Sequence, residues 1–163
     1  MTAFKTILVA TDFSAPAEAA IDRACEIARL CGADLHAIHV VSRPSLDPWV
    51  GYVASTWLEE DMDHEKREAR TRLAGAVASR GLATPATIAV TTGDPAVEII
   101  AYAKTHGADL IVCGTQGRHG LNRLILGSVA EHVVQSAPCA VLTVKQEPAA
   151  PAEVAGNAVA AEA

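Results

Sequence analysis

Phe4-Lys-Thr-Ile-Leu-Val-Ala-Thr-Asp-Phe-Ser14 is the stretch that decides the fold. Its apolar half is short, β-branched and uninterrupted, the pattern of a strand buried on both faces. Its polar half is a turn. Ala15–Gly32 follows, with Ala20, Ala24, Ile27 and Cys31 at helical spacing. Ser14 is predicted as the N-cap, Pro16 falls in the first turn, and Gly32 supplies the stop. A strand that enters a helix through a polar turn is the first half of a βαβ unit.

The rest of the chain continues the alternation. Ala33–Val41 reads as the second strand. Ser42–Thr56 holds two Pro and one Gly without a clear period, and reads as a surface excursion with at most a helical turn near its end. Trp57–Arg80 is a charge-dense helix. Its acids (Glu59, Glu60, Asp61, Asp63) lead and its bases (Arg70, Arg72, Arg80) trail, an order that complements the helix dipole. Thr84–Thr91 is the third strand. Asp94 caps the next helix, Pro95 takes its first position, and Gly107 ends it after His106. Asp109–Cys113 is the fourth strand, Ser128–Ser136 a further helix broken by Pro138, and Ala140–Val144 the fifth strand. Such an order predicts a single doubly wound α/β domain, a parallel sheet covered on both faces with right-handed crossovers. Gln146–Ala163 differs: eight of its 18 residues are Ala, two are Pro and none is aromatic. It reads as a disordered tail, which leaves residues 1–145 as the domain and 146–163 outside it.

Composition narrows the function. At 163 residues the chain fits one domain. A formal charge of −6 disfavours a nucleic-acid partner, which selects basic surfaces. Only 4% of residues are aromatic, which disfavours a base-stacking single-strand binder. No targeting segment is visible, and no run approaches the roughly 20 apolar residues that span a bilayer, so no membrane association is expected and the cytoplasm is the expected compartment. Cys25, Cys31, Cys113 and Cys139 form no C-x-x-C pair and lie in apolar surroundings, as buried thiols do in a reducing compartment.

The chemistry-bearing segment is Cys113-Gly-Thr-Gln-Gly-Arg-His-Gly-Leu-Asn-Arg-Leu-Ile-Leu-Gly-Ser-Val-Ala130. Gly114 ends a strand, Gly117 follows in the loop, and Gly127-Ser128 opens a helix. Glycines let a backbone approach a phosphate closely, and a helix N-terminus offers N–H groups and a positive dipole end. Arg118, His119 and Arg123 add local positive charge. The spacing is neither a P-loop nor G-x-G-x-x-G. On glycines alone, turns and a helix cap explain the pattern equally well. In a parallel sheet, ligands bind beyond the carboxyl ends of strands where the strand order reverses. If the first and fourth strands are neighbours, Asp12 faces the glycine loop. There it either accepts hydrogen bonds from ribose hydroxyls or caps the turn before Ser14. His39-Val40-Val41 would form the other wall.

Val9-Ala-Thr-Asp-Phe-Ser14, Ile38-His-Val40 and Gly114-x-x-Gly117-x9-Gly127-Ser128 together resemble the ATP-binding branch of the universal stress protein family, over about Phe4 to Lys145. The resemblance implies a five-stranded parallel sheet in the order 3-2-1-4-5 with helices on both faces. It implies ATP in the crevice, with Mg²⁺ or Mn²⁺ between the phosphates, and a homodimer through the last strand. It places Asp12 at the ribose, with Thr11 beside it, Val40 as the backbone reader of adenine and Ala10 in the base pocket. Gly114, Gly117, Gly127 and Ser128 form the phosphate cradle, with Arg118 in its loop and Val129 continuing it. Ala10 stands where some members have Pro, Ala130 where some ATP binders carry a hydroxyl, and Cys113 where a larger apolar residue is usual.

Other candidates are weaker. His36 and His39 are three apart on a strand and point to opposite faces, which argues against a metal pair. His119 is either a phosphate contact or a solvated loop residue, and His132 reads as structural or interfacial. Trp49, Tyr52 and Trp57 either lid the crevice, bind a partner or pack beneath the loop. No catalytic set stands out, so the chain is expected to be at most a slow ATPase acting as a stress sensor or regulator. The competing readings are a nucleotide-independent dimeric scaffold and a cyclic-AMP binder.

Overall fold

The computed structural model describes residues 4–42, 51–82, 84–115 and 126–145, with the backbone alone for 51–60. The elements run β1 (Thr6–Thr11), α1 (Ala15–Cys31), β2 (Asp34–Val41), α2 (Gly51–Ala78), β3 (Thr87–Thr92), α3 (Pro95–His106), β4 (Leu110–Gly114), α4 (Ser128–Ser136) and β5 (Ala140–Val144). The strands form one parallel sheet in the order β3-β2-β1-β4-β5.

β1 is central, and every residue after Thr6 is buried. Alternate side chains feed two cores, as strand geometry requires. Ile7 and Val9 join Leu35, Ala37, Leu110 and Val112 beneath α1 and α2, where Ala20, Ile21, Ala24, Leu73 and Val77 complete the layer. Leu8 and Ala10 join Ile38, Val40, Ile111 and Cys113 beneath α3 and α4, closed by Ile99, Ile100, Ala130 and Val133. The small residues of α1 (Ala17, Ala20, Ala24, Ala28) let its backbone lie close to the sheet. α3 follows the expected pattern. The Asp94 side chain accepts from the Val97 N–H, Pro95 opens the helix, and Gly107 closes it at φ +63°, in the left-handed region that glycine enters without strain.

Three expectations need correction. α2 begins at Gly51 rather than Trp57, which removes the end of the expected excursion. Tyr52–Trp57 contains no Pro or Gly, so nothing in it interrupts a helix already favoured by the segment that follows. β3 begins at Thr87 rather than Thr84, because Pro85 cannot donate to a ladder. Ser14 occupies the N-cap position of α1, but its side chain caps no helical N–H. The remainder of the excursion (43–50) and the expected tail (146–163) lie outside the described residues. Among the described residues no helix is long and apolar enough to cross a membrane.

Candidate functional site

The chain direction reverses between β1 and β4. From β1 it passes outward to β2 and β3; from β4 it passes outward to β5. The last matched pair between these central strands is Ala10 with Cys113. There the matched register ends, at the topological switch point where doubly wound sheets place their ligand crevice. Val40 lies one residue past the last β1–β2 pair, Thr11 with His39, so it has no partner in β1. The Val41 carbonyl is already taken by the Gly93 N–H (3.1 Å).

Two hydrogen bonds bring α4 to this crevice. The Gly127 N–H donates to the carbonyl of Thr115 (2.7 Å), and the Thr115 N–H donates to that of Val144 (2.9 Å). The N-terminus of α4 is thereby fastened to the carboxyl end of β4. Gly127 is the N-cap, at φ −66° and ψ 152°, a conformation any residue adopts. It offers no side-chain acceptor to the first-turn N–H groups that helices leave unpaired. Ser128 and Val129 are exposed, and Ala130 turns into the core that holds Ala10 and Val40. Ala10, Val40 and Ala130 therefore share one core beneath α3 and α4, and Gly127, Ser128 and Val129 form the helix start that precedes Ala130. Gly117 and Arg118, with His119 and Arg123, lie outside the described residues.

Gly114 has a packing role besides the one its motif suggests. A Cβ at this position would lie 3.0 Å from Ala17 N, 3.0 Å from Pro16 C and 3.1 Å from Pro16 Cβ. The space a side chain would fill is occupied by the first turn of α1, on the opposite face from Ala10 and Ala130. A packing demand thus accounts for this glycine without any ligand.

The turn that carries Asp12 is held by several contacts. Asp12 Oδ1 accepts the Ser14 N–H (3.0 Å) and the Ser14 hydroxyl (2.5 Å). The Thr11 hydroxyl oxygen accepts the Phe13 N–H (3.0 Å). Phe13 takes φ +62°, unusual for a bulky residue. His39 Nδ1 donates to the Thr11 carbonyl (2.8 Å), and its ring centroid lies 4.6 Å from that of Phe13. The guanidinium carbon of Arg72 sits 4.3 Å from the same ring centre. No short-range pattern signals this assembly, since its members come from β1, β2 and α2.

His36 points the other way, as strand alternation requires. Its Nδ1 lies 3.0 Å from the Tyr102 hydroxyl, and Tyr102 stacks on His106 at 3.8 Å. Burial, with His106 nearby, holds the His36 pKa below the ordinary histidine value. Burial pushes the Cys113 thiol up to about 11. His132 lies on the exposed side of α4. Among the described residues no group of three or more His, Cys, Asp or Glu comes together to hold a metal. A shallow cavity of about 290 Å³ lies elsewhere, between α2 and β3, lined by Asp63, Lys66, Arg67, Arg70 and Val90.

The family model described as "Universal stress protein family" matches residues 3–145. The chain belongs to the universal stress protein family. A universal stress protein of Methanocaldococcus jannaschii is 37% identical over 146 residues, which cover 88% of this chain and 83% of that one. Universal stress protein UspA from Lactobacillus plantarum superimposes with a TM-score of 0.72 at 33% identity, over 88% of this chain and 99% of that one. A universal stress protein from Archaeoglobus fulgidus in complex with dAMP has a TM-score of 0.59 at 24% identity, over 88% of this chain and 100% of that one, a likeness of fold. The five-stranded order 3-2-1-4-5 with helices on both faces is the universal stress protein fold of these neighbours.

Proposed function

We propose that this universal stress protein binds ATP in the β1–β4 crevice and acts as a nucleotide-dependent stress sensor or regulator. The observation that carries the reading is the fastening of the α4 N-terminus to Thr115 at the end of β4. In this reading the first-turn amides of Ser128 and Val129 serve the end of β4, where doubly wound sheets receive ligands. Gly127 strengthens the case: its φ and ψ do not require glycine, and close approach of a phosphate does. Ala10 and Ala130 are small and share a core with Val40, which is where the reading puts the base. Thr11 and Asp12 stand at the ribose, and Gly117 and Arg118, outside the described residues, belong to the cradle by motif alone. Gly114 contributes through its backbone alone. Mg²⁺ or Mn²⁺ would arrive with the phosphates, since the residues described here assemble no metal site of their own.

The reading includes a homodimer through β5 and a cytoplasmic location. Of the two edge strands, β3 carries the Arg70 guanidinium on its Ile88 carbonyl (3.1 Å). β5 carries no side-chain donor among the described residues, and Val141, Leu142 and Val144 are only half-buried. An uncapped apolar edge favours strand-to-strand pairing.

The test is calorimetric titration with ATP, ADP, AMP and cyclic AMP, each with and without Mg²⁺. Saturable ATP binding is expected, and its loss in Gly127→Val, whose backbone conformation valine tolerates. Full ATP affinity in that variant would sink the site. Preference for cyclic AMP would rename the ligand. No heat with any nucleotide, in protein freed of co-purified nucleotide, would leave the scaffold reading.

A further inference from the structure

The Asp12 turn is held from outside its own segment. Thr11-Asp12-Phe13-Ser14 closes on itself through Phe13 N–H to Thr11 Oγ1 and Ser14 N–H and hydroxyl to Asp12 Oδ1. In this turn Phe13 lies at φ +62°, a left-handed conformation that bulky residues rarely keep without support. The support comes from two distant elements. His39, on β2, donates from Nδ1 to the Thr11 carbonyl and lays its ring against Phe13. Arg72, on α2, sets its guanidinium against the same ring. The acceptor on Thr11 is a carbonyl, so the proton of this bond resides on His39 Nδ1. An imidazole and a guanidinium from two elements thus converge on one aromatic ring within a strained turn. Strain that surrounding structure over-determines is found where a loop must present a group in one orientation.

We infer that His39 and Arg72 are positioning residues for the nucleotide site: acting through Phe13, they hold the Asp12 turn in the conformation that receives the ligand. The inference rests on the nucleotide-binding reading. It assigns neither residue a contact with nucleotide. It also makes α2 part of the site's mechanics, because displacement of Arg72 loosens the turn that presents Asp12.

The experiment uses the full chain and compares wild type with His39→Leu, His39→Asn, Arg72→Met and Val77→Ala. Asparagine keeps a donor at the Nδ1 position, and methionine keeps the arginine stem without its charge. Val77→Ala weakens the packing of α2 against the sheet more than a helical turn beyond Arg72. ATP affinity by calorimetry, urea stability, and hydrogen exchange at the Phe13 and Ser14 amides are read for each. His39→Leu and Arg72→Met should exchange faster at those two amides. Each should bind ATP about tenfold more weakly, the drop expected when about a tenth of molecules hold the competent turn. His39→Asn should recover most of the affinity. Val77→Ala should lose stability and keep its affinity. Wild-type affinity in both His39→Leu and Arg72→Met overturns the inference, as does an equal loss in Val77→Ala. Absence of ATP binding by the wild-type chain overturns the nucleotide reading itself. Unchanged exchange in the clamp variants removes the clamp whether or not nucleotide binds.

Discussion

Substituting Gly114 by alanine separates packing from ligand binding at the end of β4. The added methyl would lie 3.0 Å from two backbone atoms of α1, Ala17 N and Pro16 C, and 3.1 Å from Pro16 Cβ. These contacts are tighter than ordinary van der Waals contact, so the first turn of α1 must retreat by a few tenths of an ångström. That turn cannot yield freely, because Ala17 and Ala20 are buried against the sheet and Ser14 is bonded to Asp12. Overpacking of this kind costs about 1–3 kcal/mol. The loss of backbone freedom in the unfolded chain returns about 0.4–1 kcal/mol. The net expectation is a destabilisation of about 1–2 kcal/mol, or roughly 2–8 °C in Tm for a chain of this size. Urea unfolding followed by far-UV circular dichroism, without added nucleotide, gives the measurement. Gly75→Ala serves as the control of opposite sign. Gly75 lies within α2, nothing stands within 4 Å of its missing Cβ, and alanine there should stabilise by about 0.5–1 kcal/mol. A Gly114→Ala variant as stable as wild type would show that α1 does not rest on Gly114 in solution. The packing account of that glycine would then be lost, and its role as part of the ligand cradle would stand alone.

Three further outcomes are expected. His36 is held neutral by burial, with the His106 charge adding to the effect and Asp34 opposing it. Its folded pKa lies below its unfolded one, so its contribution is intact above about pH 6.5 and is lost as pH falls from there through the lower folded value. The slope of urea stability against pH in this range should flatten in His36→Asn, which keeps a partner for the Tyr102 hydroxyl; an unchanged slope would refute the assignment. Cys113, fully paired into the sheet with its thiol pushed up to about 11, should resist iodoacetamide in the native protein at neutral pH. Peptide mapping that finds Cys113 modified as fast as Cys31 would contradict its burial. Arg80 links α2 to α1 through Asp22 and Glu18 (2.6 and 3.0 Å), and its own backbone carbonyl accepts from Arg29. Arg80→Met should destabilise by about 1–2 kcal/mol after allowance for the exposure of its partners, a figure readable by the same urea assay.

The order of elements was legible in the chain because each carries its own local signal. Apolar β-branched runs such as Ile7–Val9 and Ile111–Val112 cannot be solvated, and Asp94-Pro95 or Gly107 end and begin helices by rules that act within a turn. Gly127-Ser128 was likewise readable as the start of α4. The start of α2 was not, because the Pro- and Gly-bearing stretch before it gives no period and the helical backbone begins inside it.

What the sequence could not assign were relationships between distant residues. It placed Gly114 in a ligand motif, whereas the fold sets the first turn of α1 against it, and only the approach of two elements reveals that contact. It offered Ser14 as a side-chain cap, whereas that hydroxyl bonds Asp12 within a turn that His39 holds from β2. His39 and Arg72 are separated in sequence from Phe13 and from each other, and no spacing rule connects them. Local propensity and hydrophobic pattern act over a few residues and fix which elements exist. The meeting of β1, β2, α2 and α4 at one end of the sheet depends on burying both of its faces at once, and that is a property of the whole chain.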